Sequence, residues 1–404
     1  MKKKLIVLTN SAHMYQGAGG RTRIVHEIKE VFARELDVRL LCLVQAKNYR
    51  SIGKLKAARK KLAADTGVKV TYIPRIPTFN NWILYRIADI INAFVLLVCT
   101  RLWGCRSIQA HGISAAVPAA MLKSLDGSIR LLTDVHGAMP EEDAYGRNKN
   151  EPERFKKYSR IEKKVLERSD LVFLVSERMR THYLEKYGLA LADNLVVPCL
   201  THDYLQTLTE IPEALKSIGN RLVFTYSGSY RAYQLVDETF FLFQRIMQRF
   251  PESFFLVLTN QVTIFEEKAR GTGLTDNDFK ILSLARGEVH RHLQHADIGF
   301  LLRDDSVVNK VASPTKFAEY LLAGLPVITT EYVGDYASIV NAQRIGYTVS
   351  NLTEPEEALF TFIADYAAHK QSYKQRARQY AANSLTWTAY NKAIVDTLKR
   401  YEFL

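Results

Sequence analysis

The sequence predicts an α/β chain made of two Rossmann-like domains, each a parallel sheet flanked by helices. Short apolar runs rich in β-branched residues alternate with amphipathic helical patterns through the first half. The alternation stops in a loop around residues 198–212 and then starts again. A length of 404 residues, 47% hydrophobic and 24% charged, accommodates two domains of roughly 150–200 residues and excludes disordered and fibrous architectures.

Taken in order, strands are expected at residues 5–8, 38–44, 68–73, 107–110, 129–133, 171–175 and 195–197, with gaps long enough for crossover helices. The first of those helices carries Ile24, Val25, Ile28, Val31, Phe32 and Leu36 on one face and packs on the sheet. Residues 82–105 are the most apolar stretch, but Arg86, Asp89 and Arg101 interrupt it. Only eleven residues separate Asp89 from Arg101, whereas a membrane span needs about 18–20, so a buried or interfacial helix is expected. The second half places strands at 222–226, 254–258, 298–302 and 326–329, and a closing helix begins at Trp387. The domains divide as residues 1–199 with 386–404, and residues 200–385. Two such units imply a cleft between them, with ligands at the carboxyl ends of the strands.

The amino-terminal run MKKKLIVLTN is apolar only over residues 5–8, too short for a signal sequence of about 7–15 apolar residues, and reads as a first buried strand. Cys42, Cys99, Cys105 and Cys199 show no C-x-x-C pairing and no histidine at metal spacing. Neither a disulfide framework nor a zinc site is expected, and the compartment is a reduced cytoplasm.

Four loops carry residues suited to chemistry. Gly17-Ala18-Gly19-Gly20-Arg21 follows the first strand and opens a helix, which fits a tight turn or an anion site equally well. Thr133-Asp134-Val135-His136-Gly137 ends a strand, and His136 there can bond a polar ligand, move a proton or simply stitch the loop with Asp134. His111 ends the preceding strand. Tyr226-Ser227-Gly228-Ser229-Tyr230-Arg231 mirrors the first glycine loop, with Arg231 either a phosphate cation or a solvated arginine. In the fourth, Ser313 is expected to cap a helix with Pro314 at its first position, so that the free amides from Ser313, Thr315 and Lys316 gather at a positive dipole end. Glu319 follows at a spacing that allows its carboxylate to accept from a ribose diol, or to form an ordinary helix ion pair with Lys316. Gly324 ends that helix.

The run SPTKFAEYLLAGLPVI resembles the donor-binding segment of glycosyltransferase family 4, retaining enzymes of the two-domain GT-B fold that use nucleotide sugars without a metal or other cofactor. The glycine loop at 17–21, the His136-Gly137 pair, the loop at 226–231, Ala296-Asp297-Ile298-Gly299 and the helix led by Trp387 follow in that family's order. The resemblance implies that Glu319 holds the donor ribose. It also implies that His136 contacts the transferred sugar, that Gly19 and Gly20 line the sugar and diphosphate, and that Gly228 sits by the phosphates. Two positions depart from the family. Val311 stands where a first glutamate usually holds the donor sugar, and Ser229 and Gln234 stand near the places of a usual Arg and Lys pair. Phosphate charge then falls to Arg21, Arg231 or Lys316. The S-P-x-K-x-x-E-Y form is similar to that of a subset of cell-surface polysaccharide transferases.

The resemblance therefore implies a retaining hexosyl transfer from a UDP- or GDP-linked sugar to a glycan or lipid-linked glycan. Its rivals are a nucleotide-sugar 2-epimerase of the same fold, a dehydrogenase lacking the expected acidic ribose ligand, and a nonenzymatic nucleic-acid-binding protein. The last is opposed by the scarcity of aromatics in the basic segment, where only Tyr49 occurs. The net charge of +13 is uneven, because residues before 201 hold 34 basic and 19 acidic side chains and those after hold 21 and 23. Lys54, Lys56, Arg59, Lys60 and Lys61 belong to an acid-free run. With the apolar segment 82–105 close by in sequence, they point to the acceptor domain resting on an anionic inner leaflet, against the alternative of a solvated charged face.

Overall fold

The computed structural model describes residues 2–10, 19–76, 82–147, 151–191, 193–202 and 210–404. Gly17 and Ala18 of the first glycine loop lie outside them, as do residues 203–209 of the loop between the halves. The chain forms two units, Met1–Pro198 with Tyr390–Leu404, and Cys199–Ala389.

The first unit is a parallel sheet of β1 (Lys4–Asn10), β2 (Asp37–Gln45), β3 (Lys69–Arg75), β4 (Ser107–His111), β5 (Arg130–Asp134), β6 (Leu171–Leu174) and β7 (Asn194–Val196). Their order across the sheet is β3-β2-β1-β4-β5-β6-β7. The strands are almost continuously apolar because helices cover both faces, and Leu5–Leu8 and Leu40–Val44 are buried throughout. The order reverses between β1 and β4, which makes their carboxyl ends a switch point. The first helix, Gly19–Glu27, buries Ile24 and runs into a wider turn, Ile28–Phe32, that buries Ile28, Val31 and Phe32. It also buries Arg23 and Glu27, polar residues on the core-facing side. The tail is tied to this unit through Asn391 Nδ2 to Glu30 O (2.9 Å) and Tyr401 OH to Asp193 (2.7 Å).

The second unit is a parallel sheet of β8 (Leu222–Ser227), β9 (Ser253–Leu258), β10 (Phe279–Leu282), β11 (Ile298–Leu301), β12 (Val327–Thr329) and β13 (Gly346–Thr348), in the order β10-β9-β8-β11-β12-β13. Strand alternation divides its core in two. Phe254, Leu256 and Leu258 face one helical layer with Phe317 and Leu321, while Phe255 and Val257 face the other with Phe243 and Phe300. The sequence pattern missed β10 and β13. Both are short, half-buried edge strands, so neither presents the long apolar run by which a central strand is recognised.

Candidate active site

The reversal of strand order in the second unit lies between β8 and β11, and Arg303 after β11 and Lys316 beside the turn after β8 supply positive charge there. After β8 the chain turns at Gly228, whose φ of +151° suits glycine; a Cβ there would lie 2.6 Å from Lys316 Cε. Lys316 reaches this place from the helix Thr315–Ala323. That helix is seated by Tyr320, whose ring lies where a Cβ on Gly299 would be, 2.6 Å from its Cδ2, and whose hydroxyl accepts the Ser227 N–H at 2.8 Å. Gly324, at φ +90°, closes the helix, with the Leu325 N–H bonded to Tyr320 O.

The Lys316 ammonium donates to Gln234 Oε1 at 2.7 Å and stands 4.2 Å from the Tyr226 ring centroid. Arg303, which follows β11, is buried, with its guanidinium 5.6 Å from the Tyr233 ring. Among the described residues no carboxylate lies within 4.0 Å of either cation. Burial lowers the pKa of both, and the charge of Arg303 lowers that of Lys316 further while Glu319 opposes it. A half-buried lysine and a buried arginine with no carboxylate at ion-pair distance among the described residues make a place where a multiply charged anion could be received.

One expectation about this helix is corrected. Pro314, not Ser313, is the cap residue of the helix, which starts at Thr315. The Ser313 hydroxyl instead accepts the Cys199 N–H at 2.8 Å and shares a 2.6 Å bond with Tyr336 OH, and these tertiary partners outcompete local capping. Glu319 sits half-buried one turn beyond Lys316, and Arg231 is exposed.

In the first unit, β4 and β5 end in a buried polar cluster. Asp134 receives Arg23 bidentately, Nε at 2.8 Å and Nη2 at 2.9 Å, and Arg23 Nη1 also donates to the carbonyls of Val197 and Pro198. His136 Nε2 lies 2.9 Å from Asp134 Oδ2, and His111 Nδ1 lies 3.1 Å from the same oxygen and 3.2 Å from His136 Nε2. Glu27 approaches His111 Nε2 at 3.4 Å. Burial and the Asp134 charge push the Glu27 carboxyl up to about 8, while burial brings His111 down to about 4. Both are therefore neutral near pH 7. Despite its burial, Asp134 is held well below the usual carboxylate range by Arg23 and the two histidines. The three side chains His111, Asp134 and His136 are close enough to share a cation, but Arg23 already supplies positive charge to Asp134. The arrangement instead orients His136, whose side chain is 22% exposed, against a fixed carboxylate. Gly137 beside it accommodates Glu142, 2.7 Å from the place of a Cβ, and burial raises that carboxyl to about 7.

Gly19 and Gly20 open the first helix, while Arg21 is buried and ion-paired with Asp65, which takes up its charge. Lys54, Lys56, Arg59, Lys60 and Lys61 are all exposed on the helix Ile52–Thr66, which buries Leu55 and Leu62. Sequence reasoning missed Arg303, Arg23 and Glu27. The available signals were an arginine directly after an apolar strand run, and an i, i+4 polar pair on the apolar side of a helix.

Residues 18–203 match the profile of Glycosyltransferase Family 4, and residues 291–393 match that of the Glucosyltransferase 3-like, C-terminal domain. No curated protein matches by sequence. Among solved structures, a glycosyltransferase from Rickettsia africae superposes with a TM-score of 0.71 at 15% identity over 99% of each chain. Anabaena Alr3699/HepE in complex with UDP gives 0.71 at 16% identity, covering 98% of this chain and 100% of that one. Sucrose-phosphate synthase from Thermosynechococcus elongatus gives 0.69 at 15% identity, covering 100% and 99%. With two glycosyltransferase profiles matched in chain order on this two-sheet architecture, the chain is a glycosyltransferase of the GT-B type that resembles family 4.

Proposed function

We propose that this protein transfers a hexose, with retention of configuration, from a nucleoside diphosphate sugar to a hydroxyl of a glycan or lipid-linked glycan in surface polysaccharide synthesis. The observation that carries the reading is the pair of neighbouring cations, half-buried Lys316 beside Gly228 and buried Arg303, with no carboxylate at ion-pair distance among the described residues. A diphosphate supplies the missing charge. UDP is favoured over GDP as the carrier because HepE, a structural neighbour, binds UDP.

In this reading Lys316 and Arg303 stabilise the charge that grows on the departing diphosphate, aided by the free amides at the start of the 315–323 helix. Glu319 accepts from the ribose hydroxyls. His136, fixed by Asp134, bonds a hydroxyl of the transferred sugar. The acceptor attacks from the face the diphosphate leaves, and a phosphate oxygen takes its proton; no protein nucleophile and no metal ion is required. The two cations of this unit take the place of the family's usual Arg and Lys pair, and Arg231 and Arg21 are secondary.

The test is turnover of UDP-glucose and related donors with and without glycan acceptors, followed by anomeric analysis of the product. Acceptor-dependent release of UDP with a retained anomer supports the proposal. Conversion of the donor to its 2-epimer without acceptor would assign the epimerase reading instead.

A further inference from the structure

We infer that the outer face of the helix Trp82–Trp103 docks this protein onto an anionic phospholipid bilayer. Twelve large apolar side chains are exposed among the described residues, and six of them, Ile87, Ile90, Ile91, Phe94, Val98 and Leu102, lie on this one helix. Their steps of three and four residues form a single stripe. Phe94 is 62% exposed and Leu102 76%. Leu125, at the end of the helix Ile113–Leu125, adds to the patch, because the adjacent Asp126 bonds Arg101 at 2.8 Å. The opposite side of the helix is properly seated, with Ala88, Ala93 and Leu96 buried. A continuous apolar surface of this kind marks an interaction site rather than scattered exposure.

Charge selects the occupant. The only acid on the helix, Asp89, is buried, and Arg86 and Arg101 lie about 22 Å apart along the axis, near the two ends of the stripe. The first unit carries 37 basic and 21 acidic side chains, a net +16, whereas the second carries 18 and 21. A second copy of the chain would bring the same positive unit to the interface. An anionic bilayer meets it with opposite charge, and its acyl boundary takes the apolar stripe, with Arg101 66% exposed at the edge although bonded to Asp126. No described helix is long and apolar enough to cross a membrane, so the helix lies in the plane of the interface.

The topology separates this face from the basic run. Right-handed crossovers from β1 to β2 to β3 put the 19–27 and 52–66 helices on one side of the sheet, where they touch. The return from β3 to β4 carries the 82–103 helix to the other side, beside the 113–125 helix. The sheet and the helix layers between, roughly 10 Å each, exceed a Debye length of about 8 Å. The stripe and the positive charge on its own side of the sheet therefore dock the protein, and Lys54–Lys61 contribute little. This inference goes beyond the transfer reaction and stands whatever the acceptor is.

Flotation of the full chain with phosphatidylcholine vesicles, with and without about 30 mol% phosphatidylglycerol, tests it at physiological salt. Wild type should float with the anionic vesicles at least about tenfold more than with the neutral ones. Phe94→Asp with Val98→Asp should lose that flotation by about tenfold while keeping the wild-type melting temperature and UDP response. Replacing Lys54, Lys56, Arg59, Lys60 and Lys61 by Gln should change flotation by less than about twofold. Equal partitioning of wild type to both vesicles, unchanged flotation of the double variant, or loss in the lysine variant would overturn the inference. So would a dimer in sedimentation velocity that Phe94→Asp converts to monomer, since a second copy would then cover the face.

Discussion

Replacing Lys316 by Met separates a ligand-binding cation from a structural one, because the two roles move stability in opposite directions. In the folded protein the ammonium has one charged hydrogen bond, to Gln234 at 2.7 Å, and one ring contact, with Tyr226 at 4.2 Å. Losing these costs about 1.5–3 and 0.5–2 kcal/mol. Relief from burying an ammonium without a carboxylate partner returns several kcal/mol, and methionine fills the same volume. The free protein should therefore keep its stability to within about 1 kcal/mol, or gain. Loss of a preorganised cation from the diphosphate site should cost about 2–4 kcal/mol of binding or barrier, which is about 30- to 900-fold in UDP affinity. The assay is thermal unfolding without ligand together with calorimetric titration of UDP. A fall in melting temperature of more than about 6 °C, with UDP affinity unchanged, would show that Lys316 is structural and refute the reasoning.

Gly228→Ala places a side chain against Lys316 at a φ of +151° and should cost about 1–3 kcal/mol in urea unfolding and weaken UDP binding as well; wild-type values for both would contradict the packing described here. Asp134→Asn leaves the Arg23 guanidinium buried without its carboxylate and should destabilise by about 3–5 kcal/mol, so a loss below about 1 kcal/mol would count against the cluster. Glu27, raised to about 8, keeps in the folded state a proton that the unfolded chain releases near 4.5. Its contribution is thus present at low pH and lost as pH rises toward 8. Glu27→Gln removes that slope and should gain on wild type by a few kcal/mol across the window; parallel stability profiles for the two proteins would refute it. His111, lowered to about 4, acts in the other direction and loses stability as pH falls from about 6.5.

What could be read in the sequence was what local pattern encodes. Central strands such as β1, β2 and β9 announce themselves by apolar runs, and the 315–323 helix by proline before it and Gly324 after it. Lys316 and Glu319 could be placed on that helix for that reason. The cap on that helix was misplaced because Ser313 bonds Cys199 and Tyr336, partners distant in sequence. Arg303 looked like any charge after a strand until β11 was placed beside β8, which makes Tyr226 and Lys316 its electrostatic neighbours. The basic run and the apolar helix are neighbours in sequence, but the handedness of the crossovers sends them to opposite faces.

Calorimetric titration of UDP into the wild-type protein and into Arg303→Met tests the central claim most directly. Micromolar binding by wild type, weakened at least about thirtyfold in the variant, is the result expected if Lys316 and Arg303 together receive a diphosphate. Absence of UDP and GDP binding by wild type, or equal affinity in the variant, would contradict it.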